Sequence, residues 1–245
     1  MLKIVVPMSG EGKRFVERGF SFPKPLIEIA GKPMIEIVVR NLTPAEPHEF
    51  IFLCREEHLQ TFALTEVLRL IAPTSRVVPV RNATSGALCS VLLAIDFLDP
   101  TDELLIANAD QYVDVSVANF LSSARAGFWD GYIMTFPSTH PKWSYVKVEA
   151  DNVVAVAEKR PISRQATTGI YYFRLCEDFL AGAERILLKN AAVGGEFYIC
   201  PVFNELILAG KRLGIFAVDR DQMHSLGTPE DVEAFAATKA PSLEF

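Results

Sequence analysis

Val6-Pro7-Met8-Ser9-Gly10-Glu11-Gly12-Lys13-Arg14-Phe15, followed by Pro23-Lys24-Pro25-Leu26, is the stretch on which the fold turns. Ahead of it runs Leu2-Lys3-Ile4-Val5-Val6, apolar and rich in β-branched residues, which predicts a buried first strand. The loop then offers two glycines, two cations and a lysine held between prolines. Glycines let backbone N–H groups come close to a phosphate, and the cations neutralise its charge. A loop of this kind at the carboxyl end of a first parallel strand is where open α/β sheets bind ligands. It reads as a triphosphate cradle, with Met8, Ser9, Gly10 and Gly12 supplying backbone and Arg14 and Lys24 supplying charge.

Two familiar phosphate loops are excluded. No Gly-Lys-Ser/Thr follows at the Walker spacing, and Phe15 stands where a dinucleotide fingerprint needs its third glycine. A glycine turn after a strand is common without any ligand. Prolines on both sides of Lys24 are less ordinary, because they fix the backbone and aim one ammonium.

The chain has 245 residues, half of them hydrophobic, and a formal charge of −6. It can bury a large core, and the acidic balance argues against a general nucleic-acid surface. Apolar runs are too short for a membrane span, and no charged-then-apolar leader precedes the first strand. Cys54, Cys89, Cys176 and Cys200 form no Cys-x-x-Cys pair, which predicts reduced thiols and a cytoplasmic setting. The scattered histidines suggest no zinc site, and Ser242-Leu243-Glu244-Phe245 reads as a cloning remnant.

Strands are expected at 49–54, 76–80 and 104–107. Helices are expected from Pro33 to Leu42, from Glu56 to Leu70, and from a Thr84 cap to Phe97. This alternation implies a Rossmann-like, doubly wound mixed sheet, mainly parallel, in a three-layer α/β/α arrangement. From about residue 130 the rhythm turns β-rich. Strands are expected at 131–136 and 168–173, a hairpin at 145–148 and 153–156 turning at Asp151-Asn152, and a last strand at 213–218. Helices are expected near 176–189 and 196–209, with a final one capped at Thr228-Pro229. The whole is read as one domain over 1–245, with a nucleotide-binding half (1–128) and an acceptor-binding lobe (129–240) folded on the same sheet.

Ser9 to Phe15, Phe22-Pro23-Lys24-Pro25-Leu26 and Gly31-Lys32-Pro33-Met34-Ile35 resemble the signature of the sugar-phosphate nucleotidyltransferases, the pyrophosphorylases that make nucleotide sugars. The resemblance implies a reaction between a nucleoside triphosphate and a phosphorylated small-molecule acceptor, with Mg2+ and released pyrophosphate. It implies that Asp110, ending a central strand, binds the metal, and that Gly86 and Ala87 pack on the base. Glu158 and Lys159 resemble the family's Glu-Lys step, where the lysine meets the acceptor phosphate. Thr168-Gly169-Ile170-Tyr171 and Gly195-Glu196-Phe197-Tyr198 resemble the segments beneath the sugar, which assigns Gly169 and Glu196 to the acceptor. Asp114 reads as a helix cap before Ser116. Cell-surface polysaccharide precursors are the context implied.

Two positions depart from that pattern. Met223-His224-Ser225-Leu226-Gly227-Thr228 has Ser225 where many relatives place a second metal-binding aspartate, so Asp219, Asp221 or water is left to serve, and Asp221 is the candidate carried forward. His140-Pro141-Lys142-Trp143-Ser144-Tyr145 replaces a Tyr-Gly pair, so Trp143 narrows or re-aims the acceptor pocket. Three other readings stay open: a cytidylyltransferase for a polyol or amino-alcohol phosphate, a metal-dependent GT-A-type glycosyltransferase, and a non-catalytic nucleotide-binding subunit. The base, the acceptor and the oligomeric state, a homo-oligomer among the options, are not fixed. Neither nucleic acid nor membrane is an expected partner.

Overall fold

In the computed structural model, which describes residues 1–240, the first strand β1 (Leu2–Pro7) sends its side chains alternately into two cores. Leu2, Ile4 and Val6 join one buried cluster and Val5 the other, as period two requires of a strand covered on both faces. The chain leaves β1 through the glycine loop into α1 (Lys13–Glu17), a 3-10 turn at Lys24–Leu26, and a minimal hairpin of β2 (Glu28–Ile29) and β3 (Lys32–Pro33). Then come α2 (Met34–Leu42), β4 (His48–Arg55), α3 (Glu56–Thr61) and α4 (Leu64–Ile71). β5 (Arg76–Val80), α5 (Ala87–Leu92) and β6 (Glu103–Ala107) follow. Strands in the order β6-β1-β4-β5 pair in parallel, which puts the loops after β1 and β6 at one edge.

The second half continues with β7 (Gln111–Val113), α6 (Val117–Ala126), β8 (Gly131–Pro137), β9 (Tyr145–Glu149) and β10 (Asn152–Ala157). It ends with β11 (Gln165–Phe173), α7 (Cys176–Leu188), α8 (Val202–Leu208), β12 (Leu213–Ala217), β13 (Met223–Ser225) and α9 (Pro229–Thr238). β11 pairs antiparallel with β6, so both halves share one nine-stranded mixed sheet. It changes neighbours along its length: residues 165–166 lie between β8 and β9, residues 171–173 between β8 and β6. The register shift falls at Thr168-Gly169-Ile170, facing the end of β6. Helices α2, α4, α6 and α9 pack on one face and α5, α7 and α8 on the other, giving the three layers. The parallel strands, the hairpin and the Thr228 cap, which accepts from Asp231 N at 3.1 Å, match the sequence reading.

Helix boundaries differ where tertiary contacts outweigh local preference. The run 56–70 breaks at Ala63, which stands in left-handed backbone (φ 49). α3 buries no side chain, and the break lets α4 bury Leu64 and Leu68. Thr84 is no cap: its hydroxyl donates to Gly86 O at 3.1 Å, and Gly86 occupies the cap position of a helix that stops at Leu92. The helix expected at 196–209 begins only at Val202, because Phe197 N is spent on Ser85 O at 2.7 Å. Pro33 stands one position ahead of the first helical residue, and Asp114 pairs with Lys239 at 2.5 Å instead of capping α6. The final tetrapeptide, read as a cloning remnant, lies outside the described residues. No helix among the described residues is long and apolar enough to cross a membrane.

Candidate active site

The carboxyl ends of β1 and β6 meet over a cavity of 280 Å3 lined by Met8, Gly10, Gly12, Lys24, Ala87 and Asp110, among others. A second, larger cavity of 440 Å3 lies on the β-rich side and shares Ala87, Asn108 and Asp110 with the first. Asp110 therefore stands on the wall between them. Its Oδ2 accepts from Lys24 Nζ at 2.5 Å, and that ammonium lies 5.5 Å from the centroid of the Phe15 ring. Pro23 caps the 3-10 turn that carries Lys24, and buried Pro25 anchors it, so the cation is aimed by backbone and packing together.

The glycine loop does not act as a uniform cradle. Gly12, with φ 63, caps α1, and Met8 is tied to β4 through Leu53 O at 2.9 Å. Ser9 turns away from both cavities; its hydroxyl lies 3.3 Å from Ser90 Oγ, which reaches Thr84 Oγ1 at 2.7 Å. Arg14 is exposed, lines the larger cavity instead of the smaller, and makes no ion pair among the described residues.

Gly86 is constrained by protein, not by an open face for a base. With φ 115, it packs so closely on the 197 segment that a Cβ would sit 2.4 Å from Phe197 O. It lines neither cavity, whereas Ala87 lines both.

In the larger cavity Ser144 donates to the half-buried Glu158, whose pKa is pushed up by burial, partly offset by that hydrogen bond and by Lys159. Lys159, in left-handed backbone (φ 52), donates to Tyr198 Oη, and this bond raises its own pKa. Glu196 does not line the cavity; it accepts from Tyr198 Oη and acts on the site through that ring. Gly169 marks the shift in β11: a Cβ there would come 2.2 Å from Asn108 Nδ2 and 2.6 Å from Gln111 Oε1. Trp143 completes the wall.

Asp221 is exposed in the 3-10 turn Arg220–Gln222 and lines neither cavity, while Asp219 is occupied in the capping box of that turn. The carboxylate that does reach the site is Asp231, which the sequence reading did not single out. Ser225 Oγ donates to its Oδ2 at 2.9 Å, and a Cβ on Gly227 would lie 3.7 Å from the Oδ2 atoms of both Asp110 and Asp231. Among the described residues no group of three or more His, Cys, Asp or Glu could hold a metal. Mg2+ needs no such group: one or two carboxylates with substrate phosphates and water suffice, and Asp110 and Asp231 both line the larger cavity.

The sequence pattern of the nucleotidyl transferase family matches residues 3–180. Among solved structures, the nucleoside-diphosphate-sugar pyrophosphorylase from Vibrio cholerae RC9 is 26% identical with a TM-score of 0.82, over 96% of this chain and 100% of that one. A Bacillus anthracis protein described as a glucose-1-phosphate thymidylyltransferase, in complex with a sucrose, has a TM-score of 0.82 at 17% identity, over 100% of this chain and 97% of its own. UDP-glucose pyrophosphorylase from Acinetobacter baumannii has a TM-score of 0.72 at 18% identity, over 96% and 92% of the two chains. These last two show a shared fold. No curated protein matches the chain in sequence.

Proposed function

The chain belongs to the nucleotidyl transferase family, and we propose that it moves a nucleoside monophosphate from a nucleoside triphosphate onto a sugar phosphate, with pyrophosphate leaving. The observation that carries this reading is the Lys24–Asp110 pair, 2.5 Å apart, where a cavity walled by the glycine loop meets one walled by polar acceptor-side groups. In-line attack by an acceptor phosphate oxygen on the α-phosphorus needs placement and charge neutralisation more than acid–base chemistry.

Amides of the Ser9–Gly12 loop hold the triphosphate, and Lys24 neutralises charge growing at its α-phosphate. Arg14, which makes no ion pair among the described residues, takes the departing pyrophosphate. Lys159 grips the attacking phosphate, while Glu158 and Ser144 receive acceptor hydroxyls. Asp110 would hold Mg2+, with Asp231 rather than Asp221 as the second carboxylate, and the metal would supply neutralisation of phosphate charge. The larger cavity's hydroxyl, carboxyl and amide groups and the named pyrophosphorylase from Vibrio cholerae support a sugar phosphate acceptor. Tyr112 stands two residues after Asp110, where the Asp-x-Asp of a GT-A glycosyltransferase would place its second acid, which weighs against that chemistry. The product, a nucleotide-linked sugar, is an activated donor that a glycosyl-transfer reaction consumes, and this is how a cytoplasmic step would feed cell-surface polysaccharide.

The test is a pyrophosphate-release screen of four triphosphates against sugar, heptose and polyol phosphates with Mg2+. Lys24→Ala and Asp110→Ala are each expected to lower turnover by about a hundredfold or more while the fold survives. Near-normal turnover in either variant, or release of nucleoside diphosphate in place of pyrophosphate, would sink the reading.

A further inference from the structure

Beside the larger cavity, and sharing Lys142, Trp143, Met223, Ser225 and Asp231 with it, lies an annex of 170 Å3 that the proposed transfer does not use. Two cations line this annex, and each is held on an aromatic ring. Lys142 Nζ stands 4.5 Å from the centroid of Trp143, and the Arg220 guanidinium stands 5.4 Å from that of Phe136. The two rings meet edge to face at 5.2 Å, so residues from three separate segments form one platform.

The platform is ordered by its own backbone. Trp143 N donates to His140 O at 3.3 Å, Tyr145 Oη donates to the same carbonyl at 2.7 Å, and Arg220 donates to Met223 O at 3.0 Å. Neither cation has a carboxylate partner among the described residues. Asp231, the acid on the annex wall, is engaged by Ser225 and has its Oδ2 near Gly227, toward the Asp110 end. Asp231 is the one acid among the described residues that line the annex and its Oδ2 is taken by Ser225, so the annex offers two positive groups to an entering anion.

We propose that the acceptor carries a second oxyanion, a carboxylate or a further phosphate, remote from the phosphate that attacks, and that Lys142 and Arg220 receive it in the annex. This rests on the proposed transfer to a sugar phosphate and narrows its substrate class to doubly anionic acceptors. Lys159 takes the reacting phosphate and the annex pair takes the other group, so the acceptor is fixed at both ends. Lys142 and Arg220 are then specificity residues, and Trp143 and Phe136 position them.

The test compares three probes by calorimetry: glucose 1-phosphate, glucuronic acid 1-phosphate, in which the terminal alcohol becomes a carboxylate, and glucose 1,6-bisphosphate. At least one charged probe is expected to bind about tenfold or more tightly than glucose 1-phosphate, the value of a charge-assisted contact. Whichever gains identifies the oxyanion. Lys142→Met, at an exposed position that the fold does not need, is expected to erase the preference, and Lys142→Arg to keep most of it. Equal or weaker binding of both charged probes, or an undiminished preference in Lys142→Met, overturns the proposal. Absence of triphosphate-dependent pyrophosphate release with every probe would instead count against the transfer reaction, and the binding comparison would still stand.

Discussion

Glu158 shows what a half-buried carboxyl on the wall of the larger cavity costs the fold. Burial raises its pKa above the ordinary glutamate value, with the Ser144 hydrogen bond and Lys159 offsetting part of the rise. The folded state thus holds that proton more tightly than the unfolded chain does. Stability is therefore lost as pH rises from the ordinary value through the raised one, and the cost is fully present above it. Glu158→Gln removes the buried charge and keeps an acceptor for the Ser144 hydroxyl. Its melting temperature is expected to exceed that of the wild type by more at about pH 7.5 than at about pH 4. Its KM for the acceptor should rise about tenfold, with the KM for triphosphate unmoved. A stability difference independent of pH would contradict the assignment. Some of this site was legible as residues: Lys24 between prolines is chemically unusual where it stands, whereas Asp110 at a strand end was singled out only by the family resemblance. Asp231 was not, because Thr228-Pro229-Glu230-Asp231 carries every mark of an ordinary helix start and performs that role too. Only the Ser225 hydroxyl on its carboxylate separates it from a capping-turn acid. Arg14 and Lys24 read as one cationic pair, yet the fold sends them to different cavities.

At the scale of elements, strands were read more accurately than helix ends, and the reason is where their partners lie. The runs of β1, β4 and β6 declare themselves by composition alone, whereas α5 starts where the 197 segment docks, more than a hundred residues away in sequence. Leu88 N donates to Phe197 O at 3.0 Å and Phe197 N to Ser85 O at 2.7 Å, so this joint sets both the start of α5 and the delayed start of α8. Gly86→Ala should therefore break more than a local turn. The left-handed backbone alone costs on the order of 1–3 kcal/mol, and the Phe197 backbone must shift as well. A fall in melting temperature of about 5–10 °C is expected, with both substrates binding more weakly because Ala87 borders both cavities. Arg125 offers the opposite case. It donates to Glu46 and Glu103, at 2.6–2.8 Å, tying α6 to β6 and to the turn before β4, far from either cavity. Since its side chain is about one-third exposed, Arg125→Ala is expected to cost only about 1–2 kcal/mol of stability. Triphosphate affinity should stay at the wild-type value, and a matching loss of binding would show that the two effects are coupled through the sheet.

For the whole molecule, the decisive feature is that one sheet carries both cavities and that they share a wall. β11 runs antiparallel beside β6, so the acceptor half is built onto the strand that ends in Asn108-Ala109-Asp110. Sequence patterning could announce the change of rhythm near residue 130, but not that β11 would swap neighbours at Gly169, because that shift is set by the Asn108 and Gln111 side chains pressing on a position without a Cβ. The consequence is kinetic. With Ala87, Asn108 and Asp110 common to both cavities, triphosphate and acceptor bound as proposed would be held together across Asp110, and transfer would need no nucleotidyl-enzyme stage. Double-reciprocal plots at varied triphosphate and acceptor concentrations should then intersect, as a ternary complex demands, instead of running parallel as in a ping-pong reaction. A triphosphate chiral at an α-thiophosphate should emerge inverted, because a single in-line displacement reverses the phosphorus once. Parallel plots together with retained configuration would mean that the chain itself carries the nucleotide between two displacements, and the shared wall would then have to house a nucleophile.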